Sequence, residues 1–150
     1  MGDSLIARNP SAGRDFHLLE TFEAGIELKG SEVKSLRDHR ANIRDSFARI
    51  DEGQAWLYGL EVSPYPQAGR FAPDPKRIRR LLLHREQIER LEGRLKPGGM
   101  TLVATRLYFK GPRVKVELAL AKGKKLFDKR EAIRKRELDR EISRALKRRS

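Results

Sequence analysis

The side chains with chemistry to offer in this sequence are mostly cations. Lys122, Lys124 and Lys125 flank Gly123 at the head of a stretch that runs through Phe127-Asp128-Lys129-Arg130 to Ser150. From Lys122 onward there are 13 Lys or Arg against 5 Asp or Glu, an excess of 8 in a chain whose net charge is +13. A second group, Lys76, Arg77, Arg79 and Arg80, precedes Leu81-Leu82-Leu83, and Lys34, Arg37 and Lys115 stand apart from both. Each group alone reads equally well as a wet surface. Together they describe a surface that tracks phosphates. Phe127 is an apolar ring among lysines and an aspartate, beyond any strand pattern. Such a ring either pins the segment to the body or stacks on a base.

The other chemistries fail on residue type. No cysteine is present, which excludes disulfides, thiolate zinc sites and cysteine nucleophiles. His17, His39 and His84 come with neither a nucleophile motif nor ligand spacing, so all three read as satisfied or solvent-facing rings. Gly98-Gly99 lacks the Lys-Ser/Thr ending of a phosphate loop, and Ala121-Lys122-Gly123-Lys124-Lys125 lacks its first glycine. No catalytic residue, metal or cofactor is expected, and an RNA-processing enzyme is the weakest of the readings.

The basic stretch is helix-prone. Ile133, Leu138, Ile142 and Leu146 form a thin apolar stripe; Glu131 faces Lys135 at i+4, and Glu137 and Glu141 face Arg140 and Arg144 at i+3. The 23 residues from Asp128 to Ser150 would span about 35 Å as a helix. Charge on nearly every side predicts a helix that forms against a partner rather than alone.

The elements that carry these groups are predominantly strands. Between Phe16 and Lys29 apolar side chains recur at every second residue, with Glu20 breaking the stripe and Gly25 a bulge or bend. Gly30-Ser31 opens a short helix with Ser31 as N-cap; Val33 and Leu36 face in, Lys34 and Arg37 out. Ile43–Ile50 and Ala55–Val62 read as a hairpin around Asp51-Glu52-Gly53-Gln54, with Trp56, Tyr58, Leu60 and Val62 alternating. A Pro-rich loop follows, then helices carrying Ile78, Leu81 and Leu82 and then Ile88, Leu91 and Leu95. Met100–Phe109 and Val114–Ala121 make a last hairpin. Phe16, Phe22, Phe47, Trp56, Tyr58 and Phe109 sit at strand spacing and read mostly as core. Residues 1–14 read as a polar loop. The order is that of a small antiparallel β-barrel of the oligonucleotide-binding kind with about three helices, over 1–121, followed by a basic tail, 122–150. No apolar run spans a bilayer, and the N-terminus has neither the basic start nor the apolar length of a secretory signal, so a cytoplasmic protein without a membrane partner is expected.

Glu20-Thr21-Phe22-Glu23-Ala24-Gly25-Ile26, Gly30-Ser31-Glu32-Val33-Lys34-Ser35-Leu36-Arg37, Asp45-Ser46-Phe47, Arg80-Leu81-Leu82-Leu83-His84, Thr101-Leu102-Val103 and Gly123-Lys124-Lys125 with Asp128-Lys129-Arg130 follow one another in the order of a known family. On these residues the chain resembles the SsrA-binding proteins, small protein B of bacterial trans-translation. The resemblance implies an adaptor that binds the tRNA-like domain of transfer-messenger RNA and delivers it to stalled 70S ribosomes, together with elongation factor Tu. It implies that the tail enters the 16S rRNA decoding centre and the empty mRNA channel. By position, Asn9 and Glu23 match polar residues of the family's RNA face, Leu82 an apolar one and Lys115 a basic one. Lys34, Arg37, Arg80, Lys122, Lys124 and Lys125 join them as RNA-binding cations. Gly123, with Lys124 and Lys125, leads the tail, and Asp128, Lys129 and Arg130 match its signature triplet, with Phe127 just before them. His39 stands where a glycine is usual, Pro10-Ser11-Ala12-Gly13 is less basic than usual, and Phe127 replaces His or Tyr. The alternative, from a different class, is a structural ribosomal protein with a basic extension.

Overall fold

A computed structural model describes residues 4–123 together with Arg140, Ile142 and Arg144. The tail residues Lys124, Lys125, Phe127, Asp128, Lys129 and Arg130, and most of the expected tail helix, lie outside the described residues. The chain runs β1 (Ser4–Arg8), α1 (Pro10–Asp15), β2 (Phe16–Ile26), α2 (Gly30–Arg37), β3 (Ala41–Asn42), β4 (Phe47–Asp51), β5 (Gln54–Tyr58), β6 (Glu61–Val62), a 3-10 segment (Pro66–Phe71), β7 (Arg79–Leu82), α3 (Arg85–Leu95), β8 (Thr101–Lys110) and β9 (Arg113–Gly123). The main sheet is ordered β1-β8-β4-β5-β7-β2-β9, and β9 pairs with β8 as well, so hydrogen bonding runs round a ring of six strands. All pairings are antiparallel. The fold is therefore the antiparallel oligonucleotide-binding-like one with three helices that the strand pattern predicts.

The core follows from alternation. Phe22, Ala24 and Ile26 of β2 point inward with Ala48 of β4, Ala55 and Leu57 of β5, Leu81 of β7, and Val116, Leu118 and Leu120 of β9. Leu36 of α2 and Leu91 of α3 join this cluster and are fully buried. Burying a Leu of this kind is worth ~1.5–3 kcal/mol. A smaller cluster, Ala12, Val103, Ala119 and Ala121, lies under α1 on the outer side of β8 and β9.

Several expectations are corrected. Arg79–Leu82 is a strand, not a helix: Arg79 and Leu81 point in while Arg80 and Leu82 are exposed, a period of two that the run of leucines conceals. The bulge in β2 falls between Leu18 and Glu20, not at Gly25. Residues 4–15 form β1 and α1 rather than a loop. The N-cap of α2 is Lys29, not Ser31, and its backbone N–H donates to the Glu32 carboxylate. Lys122 and Gly123, expected to begin the tail, are still in β9 opposite His17 and Phe16.

The hairpin at Asp51–Gln54 is correct, its turn residues Glu52 and Gly53 both left-handed (φ 51 and 74), as a two-residue turn requires. Its strands are shorter than expected, and the second changes phase. Gly59 (φ 82) breaks the alternation, so Leu57, Leu60 and Val62 are buried while Trp56 and Tyr58 stay on the outer face. A side chain at residue 59 would put its Cβ 3.0 Å from the Asp45 carbonyl oxygen, and only glycine fits that kink. Among the six strand aromatics expected mostly in the core, Phe22 alone is buried.

One polar cluster lies inside. Arg79, fully buried, donates from Nε and Nη2 to the Glu32 carboxylate at 2.8 and 2.6 Å, and from Nη1 and Nη2 to the carbonyls of Leu60, Arg77 and Pro75. Arg77 donates to the other Glu32 oxygen. Burial acts to raise the Glu32 pKa, but the hydrogen bonds from Arg77, the Lys29 amide and Arg79 outweigh it and leave the carboxylate lowered. A lowered folded pKa contributes stability in full above the unfolded glutamate's pKa, lost as pH falls through the folded value. We therefore expect Arg79→Met to destabilise the fold by ~3–5 kcal/mol in urea denaturation, because Glu32 keeps its charge with half its partners gone. Adding Glu32→Gln to that variant should restore part of the loss and flatten the acid limb of stability against pH.

Candidate RNA interface

Strand alternation that points Phe22, Ala24 and Ile26 inward points Glu23 and Gly25 outward. Gly25 lies opposite Leu82 of β7 on one side and Lys115 of β9 on the other, and Lys115 lies opposite Tyr108 of β8. One row, Leu82-Gly25-Lys115-Tyr108, thus crosses four strands. Leu82 covers Gly25: a Cβ at residue 25 would sit 3.2 Å from the Leu82 Cβ, so glycine lets Leu82 lie flat over β2. Leu82 nevertheless remains 50% exposed, an apolar side chain on a charged surface. Beside it Gly25, Val33, Leu82, Arg113 and Lys115 line an open groove of about 380 Å³.

Glu23 shares this face with its cross-strand partner Glu117 and is held in place. Its carboxylate accepts from the Tyr108 hydroxyl at 2.5 Å and from the Lys110 ammonium at 3.2 Å. The Tyr108 hydrogen bond, opposed by partial burial and aided by Lys110 and Lys115, keeps Glu23 below its ordinary pKa, so it is an acceptor at neutral pH. Arg106 lies over the Tyr108 ring, 5.3 Å from its centre, and pairs with Glu117. The arrangement offers cations for phosphates, an apolar leucine for a ribose or base, and a fixed carboxylate for a base amino group. Glu23 also pairs with the Lys110 ammonium.

The sequence-predicted residues divide. Leu82 and Lys115 line the groove, and Glu23 lies two residues along β2 from Gly25, outside its lining. Arg80 is exposed two residues from Leu82 but lies across from Trp56 of β5. Lys34 and Arg37 are exposed on α2, whose Val33 borders the groove, with the Lys34 ammonium 5.5 Å above the Tyr65 ring. Lys122 is in β9 opposite His17, and Gly123 ends that strand. Asn9 is buried: its amide donates to the Ala104 carbonyl, its Oδ1 accepts from Ser11, and its backbone N–H donates to Thr105. These carbonyls flank the bulge between Ala104 and Arg106. Asn9 thus acts by fixing the bend that turns Arg106 and Tyr108 outward. His39 adopts the left-handed backbone that glycine favours (φ 57).

Tyr108, Lys110, Arg106 and Arg113 escaped the sequence reading. The bulge in β8 reverses the inside-outside phase after Ala104, and no local residue signals it. Among the described residues no cluster of His, Cys, Asp or Glu could hold a metal ion, and no helix is long and apolar enough to cross a membrane.

The family model described as SmpB protein matches residues 6–148. An SsrA-binding protein of Carboxydothermus hydrogenoformans is 54% identical over 145 residues, covering 97% of each chain. Another, of Geobacter sulfurreducens, is 50% identical over 150 residues, covering 100% of this chain and 98% of its own. A solved structure described as "tmRNA-SmpB: a journey to the center of the bacterial ribosome" is 44% identical with a TM-score of 0.67, covering 79% of this chain and 83% of that one.

If Glu23 contacts RNA, Glu23→Ala should weaken binding of the RNA partner about tenfold, as loss of a hydrogen bond to a charged group does, while stability stays within about 0.5 kcal/mol of the parent. Tyr108→Phe, which leaves Lys110 as the carboxylate's partner, should fall between the parent and Glu23→Ala. Filter binding beside thermal melts checks both, and a large drop in melting temperature for Glu23→Ala would make the residue structural.

Proposed function

The chain belongs to the SmpB protein family, and on that premise we propose that it is the adaptor that binds the tRNA-like domain of transfer-messenger RNA and delivers it to stalled ribosomes for trans-translation. The observation that carries this reading is the family match over residues 6–148, which takes in the barrel and nearly all of the basic tail. The geometry supports it through the groove lined by Leu82 and Lys115, with Glu23 nearby on β2. A closed barrel presents that groove as a rigid surface, and a rigid surface loses little entropy on binding RNA. The protein acts without catalysis, in the cytoplasm, with elongation factor Tu in the delivered complex.

The two parts divide the work. The barrel holds the RNA at the groove. The tail that follows β9, residues 124–150, enters the decoding centre and the vacant mRNA channel, led by Lys124 and Lys125, with Phe127 stacking on a base and Asp128, Lys129 and Arg130 fixing the entry. Ordering this segment on binding costs entropy, so it adds less affinity than its charge would give. Its use is to report an empty channel, since mRNA in place excludes it sterically.

Binding at the barrel should be strongly salt-dependent. With about five phosphates neutralised, log K should fall against log salt with a slope of roughly −3.5 to −4.5. A flat dependence would remove the phosphate-tracking face. Truncation before Asp128 should leave binding to transfer-messenger RNA nearly intact and abolish peptide tagging on stalled ribosomes. Tagging at the normal rate by the truncated protein would refute the channel-sensing role, and full ribosomal occupancy without stalling would favour a structural ribosomal protein.

A further inference from the structure

β2 begins where β9 ends: Phe16, the first residue of β2, lies opposite Gly123, the last of β9. Beside that pair is a pocket of about 230 Å³ between α1, the start of β4 and β8, separate from the groove at Leu82 and Lys115. Ala12, Phe16, Phe47 and Val103 make its apolar wall, continuous with the small cluster under α1. Asp15 and Asp45 line it as well, and both are exposed. No cation lines the pocket, and neither carboxylate forms an ion pair with a described residue.

Asp45 opens Asp45-Ser46-Phe47, a motif that the groove at Leu82 leaves unused. Its left-handed backbone (φ 65) suits asparagine as well as aspartate, so the turn does not require the charge. A pocket with an apolar wall and two unpaired carboxylates calls for an apolar group flanked by cations. RNA fits it badly, because the carboxylates repel phosphate.

The residues that follow Gly123 have the required pattern: Lys124, Lys125, then Phe127, then Lys129. Phe127 is four residues beyond Gly123, and four extended residues reach about 13 Å. That is enough to turn back from the end of β9 onto a pocket that adjoins it. Covalent attachment makes the encounter intramolecular, at an effective concentration on the order of millimolar, so a modest fit suffices.

We propose that in the free protein the head of the tail folds back on the barrel, with the Phe127 ring in this pocket and Lys124 and Lys125 beside Asp15 and Asp45. The pocket is an autoinhibitory latch. It withholds the ring and its cations from RNA met at random, which a chain of net charge +13 would otherwise attract. The latch opens when a partner competes for the ring. The inference concerns the free protein and rests on the proposed function only for the identity of that competitor.

Trp56 is the one tryptophan of the chain. Trp56→Phe combined with Phe127→Trp therefore moves the sole indole into the tail of the full-length protein. Blue-shifted emission and weak acrylamide quenching are expected, both independent of protein concentration. Asp15→Asn with Asp45→Asn should raise the open population roughly threefold to tenfold, as loss of two exposed ion pairs does, and the emission should move to the red. Asp51→Asn with Glu52→Asn removes the same charge at the other end of β4 and should change neither reading. Salt of about 1 M should open the latch with no substitution at Asp15 or Asp45, since it screens such pairs. In the parent background, Asp15→Asn with Asp45→Asn should tighten binding of a uridine oligonucleotide more than the hairpin control does, with the melting temperature unchanged. The proposal is overturned if the indole is quenched as strongly in the folded protein as in urea, if the hairpin control releases it equally, or if protection grows with protein concentration, which assigns the pocket to the tail of a second copy. Failure to bind the tRNA-like domain would remove the proposed function and leave the fluorescence of the free protein to decide the latch.

Discussion

A buried ion pair fixes the phase of the surface that this protein presents. Arg79 is the fully buried cation of β7, and Glu32 of α2 is its counter-charge. Neither is tolerable alone in an apolar interior, because desolvating a charge costs several kcal/mol unless a partner and hydrogen bonds compensate. Here the compensation is extensive: Arg79 also satisfies three backbone carbonyls, two of them, Pro75 and Arg77, at the end of the loop that leads into β7. With Arg79 held inside, alternation leaves Arg80 and Leu82 outside. A slip of one residue would bury Arg80 and Leu82 and expose Arg79 and Leu81, removing the apolar contact from the groove. The same pair docks α2, so Val33 borders the groove.

Around this anchor the barrel separates two kinds of surface. The β2-β9-β8 face carries carboxylates as well as cations, and its members are cross-braced: Glu23 by Tyr108 and Lys110, Arg106 by Glu117. Such bracing limits the ways a ligand can be met and favours a particular geometry over mere charge. The pocket beside α1 carries carboxylates without cations, a combination that turns phosphate away and suits a basic segment. A net charge of +13 draws polyanions to the whole molecule, and the local arrangement decides where they settle.

Much of this was readable before any coordinates. The hairpins at Asp51–Gln54 and Lys110–Arg113, the short helix after Gly30, the helix carrying Ile88 and Leu91, and the outward positions of Glu23 and Lys115 all follow from turn residues and local period. Those signals are carried by adjacent residues and do not depend on what packs above them. The family is likewise legible, since its short motifs stand in order along the chain. The errors fall where two readings are locally degenerate. Arg79-Arg80-Leu81-Leu82 fits one turn of an amphipathic helix as well as a strand, and only its neighbours β2 and β5, far away in sequence, choose the strand.

The sequence by itself determines the strand-rich plan, the basic character, the absence of thiol chemistry and the membership of its family, because these reside in residue types and short spacings. The tertiary structure alone decides which cation is structural and which is free. Arg79 and Arg80 are identical in composition terms, yet one is sealed against Glu32 and the other faces outward. It alone brings Tyr108 to Glu23 across 85 residues, through a bulge in β8 whose carbonyls are held by Asn9. It also turns Trp56 and Tyr58 outward at the Gly59 kink. In each case the deciding contact is non-local, and a side chain's environment depends on strands the local sequence does not contain.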